Sequence, residues 1–306
     1  MSKFLITIVG PTAIGKTSLA IKLAKKYKTE VISADSRQFY RELNIGTAKP
    51  SKDELSSVKH HLINNISITD KYDISRFEAD ARKIIDKLFK TKDYVILVGG
   101  SGLYIDTILY GIDKMPNIED SLRKKLNEEF ENNGLKNLLA QLKKIDPATY
   151  KNIDLSNHRR IIRALEVSIS SKKPYSSFLT NPSKQSNYNE IIIGLNCDRD
   201  KLHSLINKRV NKMIKCGLIE EVKTLKKFKN LNALNTIGYK EIFDYLNNQT
   251  SLEESIEKIK INSRRYAKRQ LTYFNSNNKI NWFQNQYEIK NIIKLIESKR
   301  ITQQLT

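Results

Sequence analysis

Hydrophobic residues in the first hundred positions alternate between short continuous runs and helical spacing. Phe4–Val9 and Tyr94–Val98 are continuous apolar runs, and Val31–Ser33 is a shorter one. Between them, Thr17–Tyr27 and Ser75–Phe89 place their apolar residues on one helical face. Continuous apolar strands that alternate with amphipathic helices are typical of a parallel sheet buried on both faces. The pattern therefore predicts an α/β fold with a parallel sheet at its core.

The pattern changes in the second third of the chain. Residues 114–189 are mostly polar with helical spacing, Glu190–Leu195 is a further apolar run typical of a core strand, and everything after Asp198 is predicted to be helical. A helical block that interrupts an α/β core is typical of an inserted subdomain. We therefore predict a core that begins in residues 1–113, an all-helical insertion over 114–189, and a return strand with C-terminal helices over 190–306.

Composition adds a strong positive charge to this picture. The 306 residues include 54 lysines and arginines against 33 acidic residues, for a net charge of +21. Such an excess favours polyanionic partners, but a Lys- and Asn-rich composition can also produce it without a nucleic-acid ligand. Two cysteines are too few for a disulfide framework or a four-thiolate zinc site. No apolar run approaches the roughly 18 residues of a membrane span, so we expect a cytoplasmic protein without membrane attachment.

Residues 10–17 match the phosphate-loop pattern G-x-x-x-x-G-K-[ST]. The segment follows an apolar strand and opens a helix, where backbone N–H groups and the helix dipole can bind phosphate oxygens. A chance match in a chain of this length has a probability of about one per cent. The core is therefore predicted to be that of a phosphate-loop NTPase-like protein. The predicted phosphate-binding residues are Gly10, Pro11, Thr12, Ala13, Ile14, Gly15, Lys16 and Thr17.

The end of the strand at 94–98 argues against hydrolysis of a nucleoside triphosphate. Hydrolysing phosphate-loop proteins usually carry an aspartate there, whereas this strand ends in Gly99-Gly100 and no carboxylate follows until Asp106. Asp35 and Ser101 follow two strands of the same sheet. Ligands bind at the carboxyl ends of parallel strands, so both are expected at the phosphate loop. We favour Asp35 as a catalytic base over the alternative of a helix N-cap.

Seven ordered segments of the chain resemble the bacterial tRNA dimethylallyltransferases. They are Gly10–Thr17, Asp35–Tyr40, Ile45–Pro50, Leu97–Tyr104, Asn157–Val167, Ile237–Glu241 and Lys268–Thr272. The likeness implies transfer of a dimethylallyl group from dimethylallyl diphosphate to N6 of the adenine on the 3′ side of the anticodon, with release of diphosphate. It also implies that the anticodon stem-loop of tRNA is the macromolecular partner. We expect the protein to act as a monomer.

The resemblance also implies roles for individual residues. Asp35 is expected to be the general base, and Ser101 a catalytic hydroxyl where relatives more often carry Thr. Lys16 and Arg209 are expected to stabilise the diphosphate, although a solvated surface position is the alternative for Arg209. Mg²⁺ is expected on the hydroxyl of Thr17. The expected tRNA-contacting residues are Asp35, Ser36, Arg37, Gln38, Ser101, Arg123, Arg159, Arg160, Ile161, Ile162, Arg163, Lys240, Arg264, Arg265, Lys268 and Arg269.

Several alternatives remain open from the sequence. The cations between Arg264 and Arg269 lie on a predicted helix, and a solvated helical face is their ordinary explanation. Tyr273 and Asn275 stand where relatives often carry Trp and Arg, which puts one tRNA contact in doubt. A phosphate-loop kinase of a nucleoside or small metabolite would not need the positive charge. A non-catalytic RNA-binding module would leave Asp35 without a role.

Overall fold

The computed structural model describes residues 2–180 and 187–305, and these pack as two compact units. The larger unit contains the described residues up to Leu109 together with those from Asn187 onward, and the smaller unit begins at Tyr110. The predicted insertion over 114–189 includes residues 181–186, which lie outside the described residues. No helix in the described ranges is long and apolar enough to cross a bilayer.

A parallel sheet of six strands forms the centre of the larger unit as the structure describes it, in the order β3-β2-β4-β1-β5-β6. The strands are β1 (Phe4–Val9), β2 (Val31–Ser33), β3 (His60–His61), β4 (Tyr94–Val98), β5 (Asn189–Asn196) and β6 (Ile280–Gln284). Every residue of β1 and β4 is buried, because neighbouring strands and helices cover both faces of the sheet. The predicted α/β core with a parallel sheet is confirmed.

Helices of the larger unit cover this sheet and complete its carboxyl edge. They are α1 (Lys16–Lys26), α2 (Lys52–Ser57), α3 (Ile74–Phe89), α4 (Gly102–Leu109), α9 (Arg199–Lys215), α10 (Leu218–Thr224), α11 (Tyr239–Leu246), α12 (Leu252–Asn275) and α13 (Ile289–Leu305). The long helix α12 begins with a capping box. The side chain of Ser251 accepts a hydrogen bond from the backbone N–H of Glu254, and the side chain of Glu254 accepts one from the backbone N–H of Ser251. Its buried positions include Ala267, Gln270 and Phe274, so one stripe of the helix faces the core.

The prediction that only helices follow Asp198 is wrong at β6. This strand pairs in parallel with β5, and Gly194 of β5 lies opposite Trp282. A Cβ atom on Gly194 would lie 2.5 Å from the Trp282 ring, so glycine is what lets the ring pack onto β5. The strand is short and mostly half-buried because it lies at the sheet edge, and its Asn281 interrupts the apolar run. These features hid it from the hydrophobic pattern.

The smaller unit consists of helices around a separate core. The helices are α5 (Asp120–Asn133), α6 (Leu135–Ile145), α7 (Pro147–Asn152) and α8 (His158–Ser171). Asp146 is 1% exposed and caps α7 by accepting a hydrogen bond from the backbone N–H of Thr149 at 2.9 Å. The same carboxylate accepts from the backbone N–H of Ser176 at 2.7 Å. One buried aspartate thereby fixes both the start of α7 and the chain after α8.

Candidate active site

The phosphate loop joins β1 to α1, and its two glycines adopt conformations that other residues avoid. Gly10 has a φ of 139°, and a Cβ atom there would lie 2.4 Å from the carbonyl oxygen of Leu195 in β5. Gly15 has a φ of 98° and immediately precedes α1, which begins at Lys16. Glycine meets both requirements without strain. The loop therefore leads its backbone directly into the N-terminus of a helix, where unpaired N–H groups favour an anion.

Lys16 lies against the loop from which it projects. Its Nζ atom donates hydrogen bonds to the carbonyl oxygens of Gly10 at 2.9 Å and Pro11 at 2.7 Å. Burial, together with the neighbouring guanidinium of Arg209, lowers the pKa of Lys16 to about 7 against the opposing effect of Asp35. An ammonium group in this position is poorly solvated and close to a second cation. Both conditions favour the binding of an anion beside it.

The phosphate loop forms one wall of a cavity of about 450 Å³. The other walls come from residues after β2 and β4 and from α9 and α12, at the carboxyl edge where α/β proteins bind ligands. The predicted site residues that line the cavity are Thr12, Ala13, Ile14, Gly15, Lys16, Thr17, Asp35, Gln38 and Arg209. Lining residues that were not predicted include Ala48, Lys49, Glu54, Lys212, Tyr266 and Gln270.

Asp35 lies in a turn that follows β2, and no helix begins there, so the alternative of a helix N-cap is wrong. One carboxylate oxygen accepts a hydrogen bond from the backbone N–H of Arg37 at 2.9 Å, which orients the carboxylate. The backbone N–H of Ser36 donates to Oγ of Ser101 at 3.2 Å, which ties this turn to the loop after β4. Asp35 thus reaches the same cavity as the phosphate loop, held by contacts that its own turn provides.

Arg209 on α9 and Tyr266 on α12 also line the cavity. Burial lowers the pKa of Arg209, and Asp35 opposes that shift. Burial also raises the pKa of Tyr266, and the negative charge of Asp35 raises it further. Since Asp35 affects Lys16, Arg209 and Tyr266, one carboxylate faces two cations and a neutral phenol. The alternative of a solvated surface position for Arg209 does not fit its place in the cavity wall.

Gln270 on α12 joins the two loops of the cavity through its amide. The backbone N–H of Thr12 donates to its Oε1 at 2.8 Å, and its Nε2 donates to the carbonyl oxygen of Gly100 at 2.8 Å. A Cβ atom on Gly100 would lie 2.2 Å from that Nε2, so glycine is needed for this approach. Gln270 lies in the segment Lys268–Thr272, but the sequence predicted no role for it in the cavity, because its partners lie 258 and 170 positions away.

The segment Ile45–Pro50 forms another part of the cavity wall through Ala48, Lys49 and Pro50. Its backbone is held from outside, because the carboxylate of Glu221 accepts hydrogen bonds from the N–H groups of residues 44, 45 and 46. The hydroxyl of Tyr239 donates to the same carboxylate at 2.6 Å. Burial lowers the pKa of Lys49 to about 8. The sequence predicted no role for Glu221 or Tyr239, although they hold Ile45–Pro50 in place.

The expected tRNA-contacting residues of the larger unit fall into two groups. Arg37 donates to the carbonyl oxygen of Asn232 at 2.9 Å, and Gln38 donates to that of Thr47 at 3.3 Å, so both have partners within the protein. The second group is exposed on α11 and α12. Its members are Lys240, Arg265, Lys268 and Arg269. Arg264 is partly buried and pairs with Glu257 at 2.8 Å.

The smaller unit contains the remaining expected contacts. Arg159 and Arg160 are exposed at the start of α8. Arg123 donates hydrogen bonds to both oxygens of Glu166, at 2.5 and 2.7 Å, and Glu166 is 1% exposed. Arg163 approaches the same carboxylate at 3.5 Å. The side chains of Ile161 and Ile162 are buried in the core of this unit, where they fill space between helices instead of facing solvent.

The fold and the cavity define this chain as an α/β phosphate-loop protein with a carboxylate at its anion site. A family model described as IPP transferase matches residues 38–277. The chain is 50% identical over 299 residues to a tRNA dimethylallyltransferase of Christiangramia forsetii, and the match covers 98% of this chain and 99% of that protein. It is 47% identical to the protein of the same name in Flavobacterium johnsoniae, over 96% of this chain and 97% of the relative.

Solved structures give the same result. The full-length tRNA isopentenylpyrophosphate transferase of Bacillus halodurans superposes with a TM-score of 0.72 at 37% identity, covering 98% of this chain and 97% of that one. A eukaryotic dimethylallyltransferase acting on tRNA superposes with a TM-score of 0.79 at 27% identity, covering 93% and 74%. The chain belongs to the IPP transferase family, and the resemblance drawn from its motifs is confirmed.

Proposed function

We propose that this protein transfers a dimethylallyl group from dimethylallyl diphosphate to N6 of the adenine on the 3′ side of the anticodon in tRNA, releasing diphosphate. The observation that carries the proposal is one cavity that contains a phosphate loop, two cations and the carboxylate of Asp35. Membership in the IPP transferase family supports the same reaction.

The proposed chemistry matches the two kinds of group in the cavity. Departure of diphosphate from an allylic carbon leaves positive character on the carbon and negative charge on the leaving oxygen. Lys16 and Arg209 stabilise that leaving charge. The amine of adenine is a weak nucleophile, because its lone pair is delocalised into the ring, and it must lose a proton as the new C–N bond forms. Asp35 accepts this proton, and Ser101 holds the turn that carries Asp35.

We propose Mg²⁺ as the metal ion that accompanies the diphosphate. Mg²⁺ in such sites takes one or two protein oxygens and completes its shell with water and substrate phosphates. The hydroxyl of Thr17 and the carboxylate of Asp35 both line the cavity, so the residues present fit this requirement. When bound, Mg²⁺ would neutralise part of the charge that develops on the diphosphate. Thr17 is the residue that we propose as its ligand.

The proposed RNA substrate explains the positive charge of the chain. Exposed cations occur in both units: Arg265, Lys268 and Arg269 on α12, and Arg159 and Arg160 on α8. Lysines and arginines of this kind bind the phosphate backbone of RNA. The target base must leave the stack of the anticodon loop to reach the cavity. We propose that the protein acts as a monomer in the cytoplasm, where tRNA is found.

A test of the function supplies dimethylallyl diphosphate, Mg²⁺ and an unmodified anticodon stem-loop, and measures the mass of the RNA. The expected result is a gain of one dimethylallyl group per RNA. A stem-loop with guanine in place of the target adenine is the matched control and should not change in mass. An RNA of unchanged mass, together with consumption of ATP in the presence of a nucleoside, would favour a phosphate-loop kinase instead.

A further inference from the structure

The amide of Gln270 on α12 joins the phosphate loop to the loop after β4. Its Oε1 accepts from the N–H of Thr12 and its Nε2 donates to the carbonyl of Gly100, both at 2.8 Å. The side chain is 6% exposed. A backbone N–H can only donate and a carbonyl can only accept, so the orientation of the amide is determined by its partners.

We propose that Gln270 is a positioning residue that holds the phosphate loop in the conformation that binds diphosphate. Thr12 lies in the part of the loop that precedes the helix, so its N–H is not paired within α1. Gln270 supplies the missing acceptor. The same amide donates to the carbonyl oxygen of Gly100, and Gly99 and Gly100 also line the cavity.

The distance to Lys16 explains why this position affects anion binding. A Cβ atom placed on Gly100 would lie 2.2 Å from Nε2 of Gln270 and 3.6 Å from Nζ of Lys16. The amide of Gln270 and the ammonium group of Lys16 therefore both lie close to Gly100. A change in the amide shifts the surroundings of Lys16 as well as those of Thr12. Asn offers the same donor and acceptor on a shorter side chain, and Glu lacks the donor when it is ionised.

This inference rests on the proposed function only in that the loop binds diphosphate, so the test measures that step directly. The affinity for inorganic diphosphate in the presence of Mg²⁺ is measured by isothermal titration calorimetry for the wild type, Gln270→Met and Gln270→Glu. Thr272→Ala is the matched control, because Thr272 lies on the exposed side of the same helix and its hydroxyl donates only to the carbonyl of Lys268. Gln270→Met should weaken binding about tenfold, the effect of roughly one lost hydrogen bond, and Thr272→Ala should not.

Gln270→Glu separates positioning from space filling. A protonated carboxyl group has the same pattern as the amide, with a carbonyl that accepts and a hydroxyl that donates. We expect the affinity of Gln270→Glu, relative to the wild type at the same pH, to rise as the pH falls from about 8 to about 5.5, and to exceed that of Gln270→Met at the lower pH. The ratio for Gln270→Met should stay constant, because methionine does not titrate.

Two results would overturn the inference. One is equal diphosphate affinity of Gln270→Met and the wild type, and the other is a Gln270→Glu variant that never exceeds Gln270→Met at low pH. If Gln270→Met does not fold, the comparison of Gln270→Glu with the wild type across pH decides. A wild-type protein that binds diphosphate without modifying RNA would refute the proposed function and leave the role of Gln270 intact. A wild-type protein that binds no diphosphate would refute both.

Discussion

Binding of diphosphate should draw a proton onto Lys16. Burial and Arg209 lower the pKa of Lys16 to about 7, so the free protein at neutral pH contains a large fraction of neutral amine. A diphosphate beside this amine favours the charged form and raises its pKa. With a pKa of about 7 in the free protein, complete protonation on binding takes up about 0.1 proton at pH 6, about 0.5 at pH 7 and about 0.9 at pH 8.

Calorimetry in buffers that differ in ionisation enthalpy measures this uptake, because the heat that the buffer contributes is proportional to the protons it supplies. The diphosphate also exchanges protons on binding, so the informative quantity is the difference between the wild type and Lys16→Arg. Arginine keeps the positive charge but stays protonated at every pH of the experiment. The difference should increase from pH 6 to pH 8. Equal uptake by both proteins at all three values would show that Lys16 is already charged before binding.

Three further predictions concern other parts of the molecule. Asp35→Asn should lower the rate of prenyl transfer by about 10²–10⁴-fold, for loss of the general base, with little change in RNA affinity; a near-normal rate would refute that role. Replacement of Arg264 and Arg265 by alanine should weaken RNA binding and reduce its salt dependence by about one unit per lost phosphate contact, whereas an unchanged slope would show that neither residue contacts a phosphate group. Burial raises the pKa of Asp146, but its hydrogen bonds outweigh burial, so the folded-state pKa lies below the usual value. Its stabilising contribution is present above the unfolded-state pKa and is lost as the pH falls through the folded-state pKa. The thermal unfolding temperature of Asp146→Asn should therefore depend less on pH than that of the wild type between about pH 5 and pH 3. Parallel pH profiles of the two proteins would contradict this.

The central strands could be predicted because their physical cause is local. Phe4–Val9 and Tyr94–Val98 are buried on both faces, which requires continuous apolar residues. Ile280–Gln284 lies at the edge of the sheet, where one side has no neighbouring strand and burial is partial. Its pattern is therefore no different from that of a loop with a few apolar residues. Pairing with β5, which is a tertiary event, determines its structure.

The site residues also fall into those that the sequence pattern predicts and those that tertiary packing brings into place. The meeting of Lys16, Thr17 and Asp35 at one edge of the sheet follows from strand direction, which the sequence pattern predicts. Tyr266 and Gln270 reach that edge only because α12 packs across it, and nothing in their sequence neighbourhood indicates this. A signal could have been found in Gln270 itself, because a polar residue on the apolar stripe of an amphipathic helix needs buried partners.

The structure restricts some of the RNA-contacting roles that the family resemblance implies. Arg123 is one of the positions expected to contact RNA, yet its guanidinium already binds the buried carboxylate of Glu166. If Arg123 moved away, the buried carboxylate of Glu166 would lose this partner, which is strongly unfavourable. Any RNA contact of Arg123 therefore has to be made while this pair is intact. Arg159 and Arg160 face no such restriction, because they are exposed.

The hydrogen bond between Thr12 and Gln270 spans most of the polypeptide, which has a consequence for fragments of this protein. A chain that stops before residue 252 would contain the entire phosphate loop, residues 10–17, and still lack α12, the helix that holds this loop in place. During synthesis the ribosome must release α12, which lies in about the last fifth of the chain, before the phosphate loop acquires its final shape. Truncated gene products that retain the phosphate loop should therefore be inactive, however well their first strands fold.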